Sequence, residues 1–356
     1  MRSFWLGITC LVVLFGSVGY SQEKQSKPKL LFPITIQNKG TGFIDRDGSV
    51  VIEPNFGGSM YGAGFSDGLA PVQIDGQWCY VDETGKVVLK VKFARYAHAF
   101  SEGLAAIAVV TKNGGTTEEE TKWGFIDKTG KLVIKPQFDE TYGFSEGLGR
   151  VVVNHKWGLI GRNGEWVVEP TFRGAYWFSE GFASVILEND QRVFIDHTGR
   201  VASPSQYEYT DSWFQEGLTP VKAGTKWGYI NTKWQIVIEP RFDYVAQTFS
   251  DGVASVRVGD RWGVIDKTGK FIIEPTSSDG PISFSEGLAP IRINDKYGYM
   301  DKTGKIVIEP QFEAAHDFRG GLAAVTTNKN VHYASCCWHY WDYIDKSGKY
   351  VWKQPE

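Results

Sequence analysis

The sequence predicts an all-β fold made of nine tandem units, each with three short strands. Two observations carry this prediction: a repeat of about 35 residues, and β-branched segments that alternate with turn-forming residues. The chain has 356 residues, among them 41 Gly and 14 Pro, a composition that favours many turns and short strands. A fixed period of this length is typical of stacked copies of one supersecondary unit.

A Phe-Ser-Glu-Gly-Leu motif, with small changes, marks each repeat. Successive copies lie 34 to 36 residues apart, except for one gap of 44, and their first residues are Phe65, Phe100, Phe144, Phe178, Phe214, Phe249, Phe284 and Phe318. A second element, best seen at residues 297–310, follows each copy at a fixed distance and also occurs once before the first, at residues 42–54. We therefore count nine units between residues 31 and 356.

Each unit has three segments with the composition of strands. Residues 288–293 exemplify the first, residues 226–230 the second and residues 305–309 the third, which is rich in β-branched residues. The second and third are joined by Asp-Lys-Thr-Gly, a tight-hairpin sequence in which Asp bonds the turn backbone and Gly adopts positive φ. A Glu-Pro pair then follows, and we expect it to end the third strand because Pro cannot donate to a ladder.

Trp-Gly pairs in the second strand predict the core. Residues two apart share a face of a strand, so Trp123 and Phe125 project together, as do Trp227 and Tyr229. The Gly between them predicts close approach of a neighbouring strand. A unit of this size cannot close a core alone, so we expect the next unit to cover its rings. The alternative is that these rings are exposed and stack on sugars.

The combination of these motifs resembles the WG-repeat (KWG) proteins of bacteria. Intact pairs stand at Trp123-Gly124, Trp157-Gly158, Trp227-Gly228 and Trp262-Gly263, and most are followed by Glu-Pro. The pattern departs at Thr41-Gly42, Trp78-Cys79, Arg192-Val193, Tyr297-Gly298 and Trp341-Asp342. The resemblance covers residues 31–356 and implies a β-repeat module that binds or scaffolds, without catalytic residues.

Two arrangements can stack such units, an open solenoid or superhelix and a closed propeller-like ring. Propeller blades usually have four strands in about 40 to 50 residues, whereas three are predicted here in about 35. The chain also begins and ends in the same phase of the repeat, so no blade is split between the termini. These points favour the open array.

The N-terminus has the pattern of a secretory signal. Arg2 precedes an apolar run from Phe4 to Val18, and small residues at Gly19 and Ser21 fit a cleavage site before Gln22. We expect a signal peptide at 1–21, a linker at 22–30 and the repeats at 31–356. This predicts a secreted, periplasmic or cell-envelope protein with no stable membrane span after cleavage, since no other segment is apolar for long enough.

Charge and motif spacing exclude several functions. The formal net charge of −3 provides no basic field for DNA or RNA. Acidic residues recur in nearly every unit, as turn residues do, whereas a catalytic pair is needed once; they include Glu102, Glu146, Glu180, Glu216, Glu286, Asp127, Asp196, Asp266, Asp301 and Asp345. We therefore predict no catalytic residues, no cofactor and no resident metal.

Individual information lies where the repeat is interrupted. Insertions at residues 111–121 and 326–338 both fall between the first and second strands of their units. The second leads to binding candidates Trp338, His339 and Tyr340 and to a possible disulfide between Cys336 and Cys337. A metal site formed by His332, Cys336, Cys337 and His339 is the alternative, although the usual Cys-x-x-Cys spacing is missing. We expect Cys79, in mid-strand, to be a buried free thiol.

These observations predict an exported, non-catalytic repeat protein that binds or scaffolds a protein or an envelope glycan. The alternative is a cell-wall carbohydrate-active enzyme with its site on the inserted loops.

Overall fold

A computed structural model describes residues 30–36, 38–57, 64–112, 119–209, 212–246, 248–277, 280–328 and 341–355. These residues form 31 strands and no helix. The strands group into nine antiparallel sheets, numbered 1 to 9 along the chain, and each sheet corresponds to one predicted unit. The all-β prediction and the count of nine units are confirmed.

The strands of the first five sheets run from residue 32 to residue 195. Sheet 1 contains β1 (Phe32–Ile36), β2 (Gly40–Ile44) and β3 (Val50–Phe56), and sheet 2 contains β4 (Leu69–Ile74), β5 (Gln77–Asp82) and β6 (Val87–Val91). Sheet 3 contains β7 (Tyr96–Ser101), β8 (Leu104–Lys112), β9 (Glu119–Asp127) and β10 (Leu132–Phe138). Sheet 4 contains β11 (Glu140–Ser145), β12 (Leu148–Val153), β13 (Lys156–Ile160) and β14 (Trp166–Phe172), and sheet 5 contains β15 (Gly174–Ala175), β16 (Ala183–Ile186) and β17 (Arg192–Ile195).

The last four sheets follow the same order. Sheet 6 contains β18 (Leu218–Ala223), β19 (Lys226–Asn231) and β20 (Ile236–Phe242), and sheet 7 contains β21 (Tyr244–Val245), β22 (Val253–Val258), β23 (Arg261–Asp266) and β24 (Phe271–Ser277). Sheet 8 contains β25 (Leu288–Ile293), β26 (Lys296–Asp301) and β27 (Ile306–Phe312). Sheet 9 contains β28 (Ala314–Ala315), β29 (Leu322–Thr326), β30 (Asp342–Asp345) and β31 (Tyr350–Trp352).

Most sheets contain the three predicted strands, and some contain one more. In sheets 3, 4, 7 and 9 a strand that precedes the Phe-Ser-Glu-Gly-Leu motif pairs with the strand that follows it and forms an edge of the sheet. In sheet 7, for example, Tyr244 pairs with Arg257 and Val245 with Val256. We call the residues between the third strand of one sheet and the next motif the pre-motif segment.

The Glu-Pro pair lies inside the third strand, so the expectation that it ends this strand is wrong. In sheet 6 the register passes from Trp227 opposite Phe242 to Tyr229 opposite Ile238, so the strand bulges at Glu-Pro opposite the Gly of the Trp-Gly pair. The Gly is required there: a Cβ on Gly124 would lie 2.5 Å from the carbonyl oxygen of Ile134. The predicted close approach of a strand is thereby confirmed.

Sheet 2 has no bulge at this point and no Gly opposite it, which supports the explanation that the bulge requires the Gly. It has Lys-Val in place of Glu-Pro, and its register runs from Trp78 opposite Val91 through Cys79 opposite Lys90 without a shift. A side chain is tolerated at this Gly position because the bulge is missing. Cys79 is a buried free thiol, as predicted, and burial raises its pKa.

Apolar clusters join each sheet to the next. In the cluster between sheets 6 and 7, Trp227, Tyr229 and Phe242 pack with Val245 and Phe249. Equivalent clusters join every other consecutive pair of sheets. The prediction that neighbouring units share their core is confirmed.

A ninth cluster joins the last sheet to the first. Phe32 and Ile34 of sheet 1 pack with Trp341 and Tyr343 of sheet 9. The Tyr343 hydroxyl donates a hydrogen bond to the carbonyl oxygen of Pro33, 2.8 Å away, as equivalent Tyr hydroxyls do at internal interfaces. This contact buries one apolar interface more than the eight between consecutive sheets.

Candidate functional site

The recurring acids of the Phe-Ser-Glu-Gly-Leu motif join neighbouring units. Each adopts positive φ, for example 54° at Glu216, and its carboxylate accepts a hydrogen bond from the Gly amide of the next motif. The same contact recurs from Asp67, Glu102, Glu146, Glu180, Asp251 and Glu286. Most of these acids also meet a cation from the hairpin of the next sheet, such as Lys267 at 3.0 Å from Glu216. These carboxylates therefore have a structural role.

The hairpin aspartates are structural as well. Asp127 accepts hydrogen bonds from the backbone amides of Thr129 and Lys131 and from the Thr129 hydroxyl. The Thr129 hydroxyl bond is the main reason that the pKa of Asp127 lies below its ordinary value. Asp196, Asp266, Asp301 and Asp345 have the same surroundings. The interpretation of these acids as turn residues agrees with their geometry.

Five of the six tryptophans at the Trp-Gly position lie in or against the clusters between sheets. Trp78, Trp227, Trp262 and Trp341 are buried, and Trp123 and Trp157 are half-buried. Because four of these rings are buried and Tyr96 and Tyr142 stack on Trp123 and Trp157, they do not form a stacking surface for a ligand. The sugar-stacking alternative is wrong for these residues.

The residues singled out on the second insertion, namely Trp338, His339, Tyr340, Cys336, Cys337 and His332, lie outside the described residues. Of the first insertion, residues 111–112 and 119–121 extend β8 and β9, and residues 113–118 lie outside. Among the residues that the structure describes, no group of three or more His, Cys, Asp or Glu side chains is placed to hold a metal ion. In the same part of the chain no helix is long and apolar enough to cross a membrane.

A cavity of about 550 Å³ lies along sheets 6 to 9. Its walls are formed by pre-motif and motif residues from all four sheets. The described lining residues are Ser212, Trp213, Gln215, Pro220, Tyr244, Val245, Ala246, Thr248, Ser250, Ser283, Phe284, Ser285, Asp317 and Arg319. This volume falls within the range of about 300 to 1,000 Å³ that is usual for small-ligand sites. The cavity is thus the candidate functional site.

Two aromatic side chains on the wall of the cavity remain exposed. Trp213 and Tyr244 are each 44% exposed, and both are held in place. The Trp213 indole N–H donates to Gln215 Oε1 at 3.2 Å. The Tyr244 ring makes edge contacts with Trp227 and Trp262, with centroids 6.3 and 5.9 Å away, and lies 5.4 Å from the Arg257 guanidinium. Exposed, fixed aromatic rings are common in binding sites.

Polar side chains on the same walls keep hydrogen-bonding capacity. Gln215 Oε1 accepts from the Thr248 hydroxyl at 2.7 Å as well as from Trp213, and its amide N–H groups donate to no described residue. The Ser283 hydroxyl makes no hydrogen bond within the described chain. Asp317 is half-buried and accepts no hydrogen bond from the described residues. Burial raises its pKa, although Arg319 and His316 oppose the rise.

One substitution distinguishes these sheets from sheet 4. The third residue of the first strand is small in most sheets, as at Pro220, Ser255 and Pro290, but it is Arg150 in sheet 4. Arg150 is 5% exposed, bonds the Ala175 carbonyl at 2.6 Å and lies 3.9 Å from the Trp177 ring centroid. Burial lowers its pKa to about 10. A long side chain thus occupies in sheet 4 the position of Pro220, which lines the cavity in sheet 6.

Sequence reasoning missed this site because it concentrated on the insertions and on repeated residues. Trp213, Tyr244 and Asp317 lie between repeated motifs and have no counterpart in most units. The signal that could have found them is variation: these positions hold polar and aromatic residues that differ from one pre-motif segment to the next, whereas the motif positions repeat.

The fold defines a class of protein, an array of antiparallel sheets each packed on the next. The model of one family, the WG containing repeat, matches eight tandem segments, at residues 42–78, 80–114, 123–157, 157–189, 194–227, 227–262, 262–297 and 297–330. The chain therefore belongs to the WG-repeat family, as its motifs indicated. No curated protein matches the sequence significantly.

A comparison with solved structures finds matches at low sequence identity. A crystal structure of the eukaryotic initiation factor is 11% identical over 91% of this chain and 95% of that chain, with a TM-score of 0.61. BamB from Moraxella catarrhalis is 13% identical over 77% of this chain and 94% of that chain, with a TM-score of 0.38. AztD from Citrobacter koseri is 14% identical over 90% of this chain and 92% of that chain, with a TM-score of 0.37. The similarity to the first of these supports a β-propeller-like fold.

Proposed function

We propose that this protein is an exported, non-catalytic binding protein that takes a protein segment or an envelope glycan into the cavity of sheets 6 to 9. The observation that carries the proposal is the cavity itself. Four consecutive pre-motif segments supply its walls, and the residues they place there are not required by the repeat. The signal-like pattern of residues 1–21 supports export.

The chemistry of the cavity favours binding over hydrolysis. Glycoside hydrolysis generally needs two carboxyl groups on opposite sides of the bond to be cleaved. Asp317 is the only carboxylate among the described residues that line the cavity. The acids that recur elsewhere are engaged in turns and between units, so none of them provides a partner.

Oxidative footprinting of the full chain tests the binding site and does not require an identified ligand. The protein is labelled with hydroxyl radicals in buffer and in a concentrated envelope extract, and oxidation is measured by mass spectrometry. We expect protection of Trp213 and Tyr244 by the extract. Trp177, which also directly precedes a motif Phe and is exposed, is the matched control. If the extract lowers the oxidation of Trp213 no more than that of Trp177, the proposed site is contradicted.

Export and the absence of catalysis have separate tests. After expression of the full chain in a bacterium, the exported fraction should contain a product that starts at Gln22, and removal of residues 1–21 should retain the protein in the cytoplasm. A full-length product with residues 1–21 attached and confined to the cytoplasm would contradict export. Sustained release of fragments from envelope polysaccharides by the purified protein would contradict a non-catalytic role.

A further inference from the structure

The walls of the cavity combine two features that distinguish one class of ligand from others. The first is a pair of exposed aromatic faces, Trp213 and Tyr244, fixed by contacts behind them. The second is a set of planar and hydroxyl side chains with unused hydrogen-bonding capacity. These side chains are partly or fully open to solvent, so a polar ligand that enters the cavity can replace water on their free donors and acceptors.

The unused groups include both donors and acceptors. The Gln215 amide and the Arg319 guanidinium offer N–H donors, the Asp317 carboxylate offers acceptors, and the Ser283 hydroxyl offers both. The Gln215 Oε1 already accepts from Trp213 and Thr248, whereas the Gln215 N–H groups and the side chains of Ser283, Asp317 and Arg319 make no side-chain hydrogen bond to another described residue. Two hydroxyl groups on adjacent carbons of a ligand can each donate and accept a hydrogen bond, so they can pair with planar amide, carboxylate and guanidinium groups of this kind.

The formal charges of the lining residues cancel. Asp317 carries the one negative charge of the described lining and Arg319 the one positive charge. A strongly anionic ligand would meet the half-buried Asp317 carboxylate, and like charges at short range are unfavourable. A strongly cationic ligand would meet Arg319 in the same way. The lining therefore favours a neutral ligand with many hydroxyl groups.

An extended peptide fits the lining less well than a sugar. Peptides that bind to sheets generally pair with the free backbone groups of an edge strand. The edge strand β21 contributes only Tyr244 and Val245 to the cavity wall, so most of the groups offered to a ligand belong to side chains, and the exposed surfaces are aromatic faces. The C–H faces of sugar rings pack against aromatic rings while their hydroxyls reach side chains around them.

We propose that this cavity binds a neutral oligosaccharide, with sugar rings against Trp213 and Tyr244 and hydroxyl groups on Gln215, Ser283 and Asp317. This inference rests on the proposed function, since it names the ligand class of the same site. Trp213 and Tyr244 supply contact area, and the polar side chains determine orientation and selectivity.

The experiment is a titration of the chain without the expected signal peptide, residues 22–356, with three groups of probes. The first group contains neutral hexasaccharides of glucose, xylose and N-acetylglucosamine in different linkages, the second acidic oligogalacturonides, and the third short peptides of mixed sequence. Binding is measured by isothermal titration calorimetry and checked by tryptophan fluorescence. The variants are Trp213→Ala and Asp317→Asn, with Trp177→Ala as the matched control, and circular dichroism verifies that each one folds.

We expect at least one neutral hexasaccharide to bind, with affinity reduced about tenfold or more by Trp213→Ala and by Asp317→Asn and changed less than about twofold by Trp177→Ala. Binding of an acidic sugar or a peptide in place of neutral sugars, with loss on Trp213→Ala, would overturn the neutral-sugar inference and leave the cavity as the ligand site. A probe that binds Trp213→Ala and Asp317→Asn as tightly as the unaltered chain would overturn both proposals. Failure of every neutral sugar to bind at millimolar concentration would overturn the inference about ligand class.

Discussion

Replacement of Trp227 by Ala measures how much a Trp-Gly tryptophan contributes to the interface between two sheets. Trp227 is 9% exposed and packs with Tyr229, Phe242 and Val245. A buried indole removes about 150 to 250 Å² from water, which at about 25 cal/mol per Å² corresponds to about 4 to 6 kcal/mol. Alanine retains part of this contact and the cavity relaxes in part, so we expect a loss of about 3 to 5 kcal/mol in the free energy of unfolding.

The matched control is Trp213→Ala. Trp213 is also a tryptophan of sheet 6, but it is 44% exposed and water can fill the space that its removal leaves. We expect this variant to lose about 1 kcal/mol. Guanidinium unfolding, followed by far-ultraviolet circular dichroism, gives both free energies under the same conditions. If Trp227→Ala is no less stable than Trp213→Ala, the tryptophans of the Trp-Gly pairs do not hold the sheets together.

Four further predictions concern the other features of the fold. Gly124→Ala, whose Cβ would lie 2.5 Å from a carbonyl oxygen, should lower the free energy of unfolding by at least about 1 to 3 kcal/mol in denaturant titrations. Burial of Glu286 opposes its ionisation, but hydrogen bonds from a Lys and two Gly amides keep its pKa below the ordinary value. Glu286→Gln should therefore lower the free energy of unfolding by about 1 kcal/mol at pH 7. Thermal melts should show that this difference vanishes as the pH falls below 4.5. Asp317→Asn should have the opposite effect on stability, because burial raises the pKa of Asp317 above 3.8. The ionised carboxylate destabilises the fold as the pH rises above 3.8, so the melting temperature of Asp317→Asn should exceed that of the unaltered chain at pH 7 but not at pH 3. Tyr343→Phe removes the hydrogen bond that joins sheet 9 to sheet 1, and Tyr299→Phe removes its counterpart between sheets 8 and 9; both should cost about 0.5 to 1.5 kcal/mol, whereas an open array in solution would make Tyr343→Phe neutral.

The repeated positions of the fold were predictable because each of them acts within one unit. Asp127 closes its hairpin within four residues, and Trp227 shares a strand face with Tyr229 by simple alternation. Local interactions of this kind recur in each unit, so the repeat in the sequence reveals the residues that make them.

Features that depend on a second strand or a distant sheet were not predictable in the same way. The bulge opposite Gly124 requires knowledge of which residues of the third strand face it, and Pro136 alone favoured the end of a strand. The bond from Tyr343 to Pro33 spans 310 residues, and a repeat count contains no information about such a contact. Strand number per unit and the common phase of the two ends favoured an open array, and neither of them contains information about a contact between the first and last sheets.

The candidate site escaped sequence reasoning for a related reason. Its residues come from four units and adjoin one another only after the sheets stack. Trp213 and Asp317 lie about one hundred residues apart, each in a pre-motif segment of different sequence. Their convergence follows from the packing of sheets 6 to 9 and not from any spacing.

The division between constant and variable positions indicates how such a chain gains a ligand site. The carboxylate contacts between motifs, the bulge and the tryptophan clusters recur and fix the stack together with buried pre-motif residues such as Val245. The exposed positions of the pre-motif segments are free to vary, and these segments form the same edge in each sheet that has a fourth strand. A single long residue such as Arg150 occupies this region in sheet 4, whereas Pro220 and Ser255 leave space in sheets 6 and 7. Specificity can thus change at a few exposed residues without loss of the fold, because the buried residues and backbone groups that stabilise the stack stay in place.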